Sequence, residues 1–151
     1  PPGTGDAQLT LSQAVALTGA VIVTTPQDVA LSDAKKGINM FRKVEVPILG
    51  VIENMSYFLC PHCHERTEIF AHGGGRAAAK KFDAPFLGEV PLQLEIRVGG
   101  DEGKPVIAQQ NDSAVKAAFD KIADALVKNV QALQSDNSAD TSILGKVFKL
   151  S

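Results

Sequence analysis

The sequence has few aromatic residues and no excess of basic residues, the two features typical of nucleic-acid-binding proteins. It contains no Trp, one Tyr and seven Phe, which argues against a surface on which bases stack. Its formal net charge is −2, so it lacks the excess of Lys and Arg that attracts nucleic acid or acidic membranes. We therefore expect no nucleic-acid partner.

Membrane spans and export signals are also lacking. Every apolar run is far shorter than the ~20 residues of a transmembrane helix. Residues 1–6 (PPGTGD) have neither the basic region nor the apolar stretch of a signal peptide. The chain has only two cysteines, without the disulfide framework of small secreted proteins. These absences predict a protein of the reducing cytoplasm that has no membrane partner.

What is present is the composition of an ordinary globular domain. The 151 residues are 44% hydrophobic and 21% charged, enough to bury one core. The amphipathic pattern ends near residue 133, and residues 135–141 are small and polar. We therefore predict a domain over residues 1–134 and a flexible tail over residues 135–151.

Short β-branched runs alternate with helical patterns along the chain. The runs predict three strands buried on both faces, at Ala20–Thr24, Ile48–Ile52 and Pro85–Val90. Helices are predicted at 9–17, 33–43 (capped by Ser32), 76–82 and 113–133, and loops at 53–75 and 92–105. This order predicts an α/β fold: a partial, Rossmann-like parallel sheet of about three strands flanked by helices, with at least one open edge.

The two cysteines form a CxxC motif, Cys60-Pro61-His62-Cys63. Two thiolates supply half of a tetrahedral zinc or iron–sulfur site, and a second copy of the chain is one source of the others. A thioredoxin-like redox pair and plain loop thiols are alternatives, although a redox CxxC usually begins a helix and this one lies in a predicted loop. His62 and His64 are either ligands or exposed neighbours of the thiols, and His72 is predicted to be an ordinary loop residue.

An ordered set of further motifs surrounds the cysteines. They are PPGTGD at 1–6, TTPQ at 24–27, GVIENMS at 50–56, IF before GGG at 69–75, FLGEVPL at 86–92 and GKPV at 103–106. Over residues 1–133 this set resembles the Mrp/ApbC-type iron–sulfur cluster carrier ATPases of the MinD/ParA-like P-loop class.

The resemblance implies a homodimer in which Cys60 and Cys63 of both subunits ligate one bridging [4Fe–4S] cluster. The cluster would pass to apo iron–sulfur proteins, and ATP with Mg would act in the full-length protein. Zinc is expected to occupy the same sulfurs in some purified samples. The alternative is a non-enzymatic, zinc-bridged dimerisation module.

The resemblance also implies nucleotide-binding residues. Gly3 and Thr4 correspond to a segment near the γ-phosphate, Asn54 to the residue that contacts the adenine edge, and Pro91 and Leu92 to the loop beside the base. Asn54 could equally stabilise a turn, which is common for Asn after a strand.

Three departures from the family pattern are seen in this sequence. It lacks the Walker A phosphate loop, because the glycines at 73–75 are not followed by Lys and Ser or Thr. Those glycines are either a phosphate nest or a flexible turn beside the cysteine loop. The chain alone is therefore predicted to be inactive as an ATPase, and we expect it to be the C-terminal portion of a longer protein. The second departure is the absence of the carboxylate that the family has on the metal-facing strand, shortly before the position of Pro1. The third is His64, at a position where the family often has Gly.

Overall fold

The computed structural model describes residues 6–109 and 113–147, with side chains described up to Ser135. Its main sheet has three parallel strands, β1 (Ala20–Thr24), β2 (Ile48–Glu53) and a last strand over Phe86–Glu89. Two further strands, β3 (Phe58–Leu59) and β4 (Arg66–Thr67), form a separate antiparallel hairpin, so the last strand is β5. The predicted three-stranded parallel sheet is confirmed, with the order β1-β2-β5.

Helices cover both faces of this sheet, as predicted. They are α1 (Asp6–Ala14), α2 (Asp28–Lys43), α3 (Gly74–Lys81), α4 (Leu94–Asp101) and α5 (Ala114–Val147), with a short 3₁₀ helix over Val106–Ala108. On one face, Ile38 of α2 and Ala79 of α3 pack against Val51 of β2. On the other, Ile122 of α5 packs against Leu87 of β5. Burial of both faces explains why the strands are continuous apolar runs.

The two outer edges of the sheet have no strand partner within the described residues. Val23 of β1 is 59% exposed, although its strand is a β-branched run suited to a sheet interior. A cavity of about 600 Å³ lies alongside β1, and Thr24, Phe41 and Asn54 are among the residues that line it. The open, apolar edge expected from the sequence is therefore present at β1.

Several elements differ from their predicted bounds. The loop predicted over residues 92–105 is wrong, because α4 occupies most of it. The pair Gly99-Gly100 made a helix look unfavourable here. Gly99 is needed for packing, because an added Cβ would lie 2.6 Å from the Lys104 carbonyl oxygen. The ion pair between Arg97 and Asp101, at 2.8 Å, spans one turn of the same helix.

Helices α2 and α5 are longer than predicted. Helix α2 begins at Asp28, with Gln27 rather than Ser32 at its N-cap position. Helix α5 continues to Val147, past the predicted end near Leu133, because no Pro or Gly interrupts residues 114–144. The division at residue 134 into a domain and a flexible tail stays a prediction.

No helix within residues 6–109 and 113–147 is both long enough and apolar enough to span a lipid bilayer.

Candidate functional site

The carboxyl ends of the three parallel strands meet at one edge of the sheet. There the Asn54 amide donates to the Thr24 carbonyl at 2.7 Å, and the Val90 amide donates to the Glu53 carbonyl at 2.8 Å. The Ser56 amide in turn donates to the Val90 carbonyl at 3.0 Å. Open α/β sheets bind ligands at this edge, and three of the five residues predicted to bind nucleotide lie beside it.

Asn54 takes part in a turn. Its side-chain oxygen accepts a hydrogen bond from the Met55 amide at 3.0 Å, and Met55 adopts a left-handed conformation with φ 52°. The turn interpretation of Asn54 is therefore seen in the structure. The contact with adenine stays a prediction, and the side chain does line the cavity beside β1.

Pro91 and Leu92 lie next to the segment that carries the cysteines. The side chain of Pro91 is less than 2% exposed, and Leu92 is half-buried. The Leu92 amide donates to the Tyr57 carbonyl at 2.7 Å, and Leu92 pairs with Phe58 in a parallel bridge. Gly3 and Thr4 lie outside the described residues, so their predicted contact with the γ-phosphate stays a prediction.

The CxxC motif forms the turn of the hairpin made by β3 and β4, which we call the cysteine hairpin (58–67). The Cys60 amide donates to the Glu65 carbonyl at 3.0 Å, and the His64 amide donates back to the Cys60 carbonyl at 2.9 Å. The loop predicted over 53–75 therefore contains ordered structure. Cys60 is half-buried, Cys63 is exposed, and neither forms a disulfide.

The turn stabilises a thiolate at Cys60. The backbone N–H groups of Cys63 and His62, followed by the thiol of Cys63, act on its sulfur and lower the pKa of Cys60 below that of an ordinary thiol. A deprotonated sulfur is the form that ligates metals. The position of the motif in a hairpin turn, away from any helix start, also differs from that of a thioredoxin-like redox pair.

His64, directly after the second cysteine, has a left-handed backbone with φ 58°. This conformation explains why Gly suits the position, since a side chain with a Cβ is strained there.

We expect His64→Gly to raise the free energy of unfolding of the reduced, metal-free protein by about 0.5–1 kcal/mol, because the relieved strain exceeds the entropy cost of Gly. Urea unfolding measures the change. The matched control is His62→Gly in the same turn, where φ is not positive and stability should not rise. Equal shifts in the two variants would contradict the role of the left-handed conformation.

Within the described residues, no group of three or more His, Cys, Asp and Glu side chains is placed to hold a metal ion. The imidazole of His72 lies 3.0 Å from the Glu68 carboxylate and 3.3 Å from Arg66, as befits an ordinary loop residue. One described chain thus offers two sulfurs and no third ligand.

Glu53 is the important residue that the sequence interpretation missed. Its carboxylate is fully buried and accepts hydrogen bonds from the Ser56 hydroxyl, at 2.6 Å, and from the Gly75 amide. These bonds join the end of β2 to the first turn of α3 and so close the loop that contains the cysteines. The signal in the sequence was a carboxylate at the end of an apolar strand, three residues before Ser.

The same contact bears on the glycine run at 73–75. Gly73 has φ 70° and Gly74 begins α3, so the run does make the tight turn into a helix. A protein carboxylate, that of Glu53, already lies at the helix N-terminus, where a phosphate nest would hold a phosphate. The contact also restrains the end of the loop that the flexible-turn interpretation left free to move.

The sequence of this chain is similar to that of a known protein family. Residues 1–127 match the family model described as ParA, NUBPL iron-transfer P-loop NTPase. An iron–sulfur cluster transfer protein NUBPL of Dictyostelium discoideum is 54% identical over 140 residues, which are 93% of this chain and 43% of that protein. An iron–sulfur cluster carrier protein of Salmonella typhimurium is 50% identical over 124 residues, covering 82% of this chain and 34% of that one.

A solved structure shares the fold. The nucleotide-binding protein of Archaeoglobus fulgidus, in complex with ADP, is 38% identical with a TM-score of 0.64, covering 74% of this chain and 45% of that one. The chain thus spans less than half the length of each of these relatives. The resemblance inferred from the motifs is confirmed: this chain belongs to the ParA family, through the model described as NUBPL iron-transfer P-loop NTPase.

Proposed function

We propose that this chain is the cluster-binding part of an iron–sulfur cluster carrier ATPase. Two copies would each present Cys60 and Cys63 to one [4Fe–4S] cluster, which fits a chain whose described residues offer two sulfurs and no third ligand. The observation that carries the proposal is this pair of free thiols, three residues apart on an exposed hairpin turn. The carrier names of the relatives support it.

The cluster is cargo in this proposal. The N–H groups of Cys63 and His62 stabilise the deprotonated form of Cys60, which is the form that binds iron. The exposure of Cys63 leaves room for the cysteine of an apo-protein to approach. Transfer is then thiolate exchange. An acceptor thiol loses its proton and bonds to iron, an iron–sulfur bond to the carrier breaks, and the released thiolate takes up a proton. No electron is gained or lost.

ATP belongs to the complete protein. Of the residues this chain contributes, Asn54, Pro91 and Leu92 are proposed to contact the adenine, and the segment of Gly3 and Thr4 would approach the γ-phosphate. The chain contains no Walker A loop to hold the phosphates and Mg. ATP binding and hydrolysis are therefore proposed for the full-length protein, and this chain alone is proposed to be inactive.

Anaerobic reconstitution with iron and sulfide tests the proposal. We expect four iron and four sulfide per two chains, broad visible absorbance, and a dimer by light scattering that dissociates when a chelator removes the iron. Zinc analysis of aerobically purified protein is the companion measurement. One zinc per two chains, with no uptake of iron and sulfide, would overturn the carrier proposal in favour of a zinc-bridged dimerisation module.

A further inference from the structure

Gln93 lies between the proposed nucleotide side and the cysteine hairpin. It is the N-cap residue of α4, yet its side chain makes no hydrogen bond to cap that helix. Its Nε2 instead donates to the carbonyl of Leu59 at 2.9 Å. Leu59 immediately precedes Cys60 and pairs with Arg66 inside the hairpin. A side chain that could stabilise its own helix is thus used to hold the hairpin.

The neighbours of Gln93 hold the same hairpin. Leu92 pairs with Phe58, and its amide bonds to the Tyr57 carbonyl just outside the hairpin. Arg66 lies 3.3 Å from the carboxylate of Glu89, at the end of β5. The cysteine hairpin also has polar partners outside its own loop. Among the described residues, these partners all lie between residues 89 and 93.

The segment of residues 89–93 is also bonded to the main sheet. Val90 exchanges backbone hydrogen bonds with Glu53 and Ser56, and the ring of Pro91 is buried. It also contains Pro91 and Leu92, two of the residues proposed to lie beside the base. A displacement of the segment by a nucleotide would consequently move the carbonyl of Leu59 and, one residue later, the amide of Cys60.

We infer that Gln93 is a positioning residue that couples the nucleotide side of the fold to the cysteine hairpin. The inference rests on the proposed function for its biological meaning, since it describes regulation of the same site. The physical coupling itself can be measured without any cluster or nucleotide.

The test is amide hydrogen exchange on the reduced, metal-free chain. Gln93→Met removes the donor while keeping the length of the side chain, and we expect the Cys60 and His64 amides to exchange roughly two- to tenfold faster, the effect of losing one hydrogen bond. The matched control is Gln109→Met, which removes an equivalent bond from Gln109 to the Lys104 carbonyl, also 2.9 Å long. The amide of Val51, in the core, reports whether each variant is folded. Equal hairpin exchange in the two variants would overturn the inference.

Zinc supplies a second readout that a purely structural role would not change. Linkage requires that binding at the cysteines and order at Leu92 influence each other. Adding Zn²⁺ should slow exchange of the Leu92 amide more strongly in the unmodified chain and in Gln109→Met than in Gln93→Met or in Gln93→Glu, which also lacks the donor. Undiminished protection of Leu92 in both Gln93 variants would contradict the coupling. Failure of cluster reconstitution would leave the metal-free comparison intact, so the two proposals fail separately.

Discussion

We expect replacement of Cys60 or Cys63 by serine to abolish cluster uptake. Losing a residue that merely supports a metal ligand lowers metal affinity by up to roughly 100-fold, and losing a ligand itself should lower it by more. In the proposed site, which two chains share, each substitution would remove two of the four thiolates. Serine stays protonated near neutral pH, and its oxygen is a harder, weaker ligand for iron or zinc than a thiolate. Iron, sulfide and zinc content per chain, with the visible spectrum, measure the loss.

His62→Ala is the matched control for the cysteine variants. It lies between the cysteines, and its backbone N–H, which acts on the Cys60 sulfur, is kept in the variant. We therefore expect cluster content and dimer mass close to those of the unmodified chain. Retention of the visible signal in Cys60→Ser would show that the ligand assignment is wrong. Loss of the signal in His62→Ala would mean that the imidazole is needed at the site.

The second large effect is expected at Glu53. Glu53→Ala should lower the free energy of unfolding by about 3 kcal/mol, because the Ser56 hydroxyl and the Gly75 amide lose their buried acceptor and a small cavity is left. Urea unfolding of the reduced, metal-free chain measures it. The loop that contains the cysteine hairpin should also become more sensitive to proteolysis, since its two ends are no longer joined.

Glu53→Gln separates the loss of hydrogen bonds from the loss of shape. Its side-chain oxygen can accept from the Gly75 amide while its nitrogen donates to the Ser56 oxygen, so we expect a loss of only about 1 kcal/mol. If the Ala and Gln variants were equally destabilised, the carboxylate itself would matter more than the two hydrogen bonds. If Glu53→Ala were as stable as the unmodified chain, the proposed closure of the loop would be wrong.

The main sheet could be predicted from the sequence almost residue by residue. Strands buried on both faces are continuous apolar runs, and the shortness and β-branched residues of Ala20–Thr24 and Ile48–Ile52 favour strands over buried helices. Their actual bounds are Ala20–Thr24 and Ile48–Glu53. Two helices were harder, because the pair Gly99-Gly100 weakened the pattern of α4, and because Gln27, the N-cap residue of α2, makes no capping side-chain hydrogen bond whereas Ser32 is a favoured capping residue.

The cysteine hairpin could not be predicted in this way. Its strands are two residues long, too short to carry a periodic pattern. They pair with each other, and Leu92 and Gln93, more than thirty residues after β3, give β3 further backbone and side-chain partners. Such pairing between distant parts of the chain has no trace in local sequence.

Local sequence was enough to predict a three-stranded parallel sheet in an α/β fold, the family resemblance, and a pair of cysteines spaced as candidate metal ligands. These follow from local patterns, since burial on two faces and a ligand spacing are both written in neighbouring residues. Only the tertiary structure showed that the buried carboxylate of Glu53 closes the cysteine loop and that Gln93 holds the cysteine hairpin. The physical reason is that a hydrogen bond between residues 22 or 34 positions apart forms only after the sheet has brought those residues together.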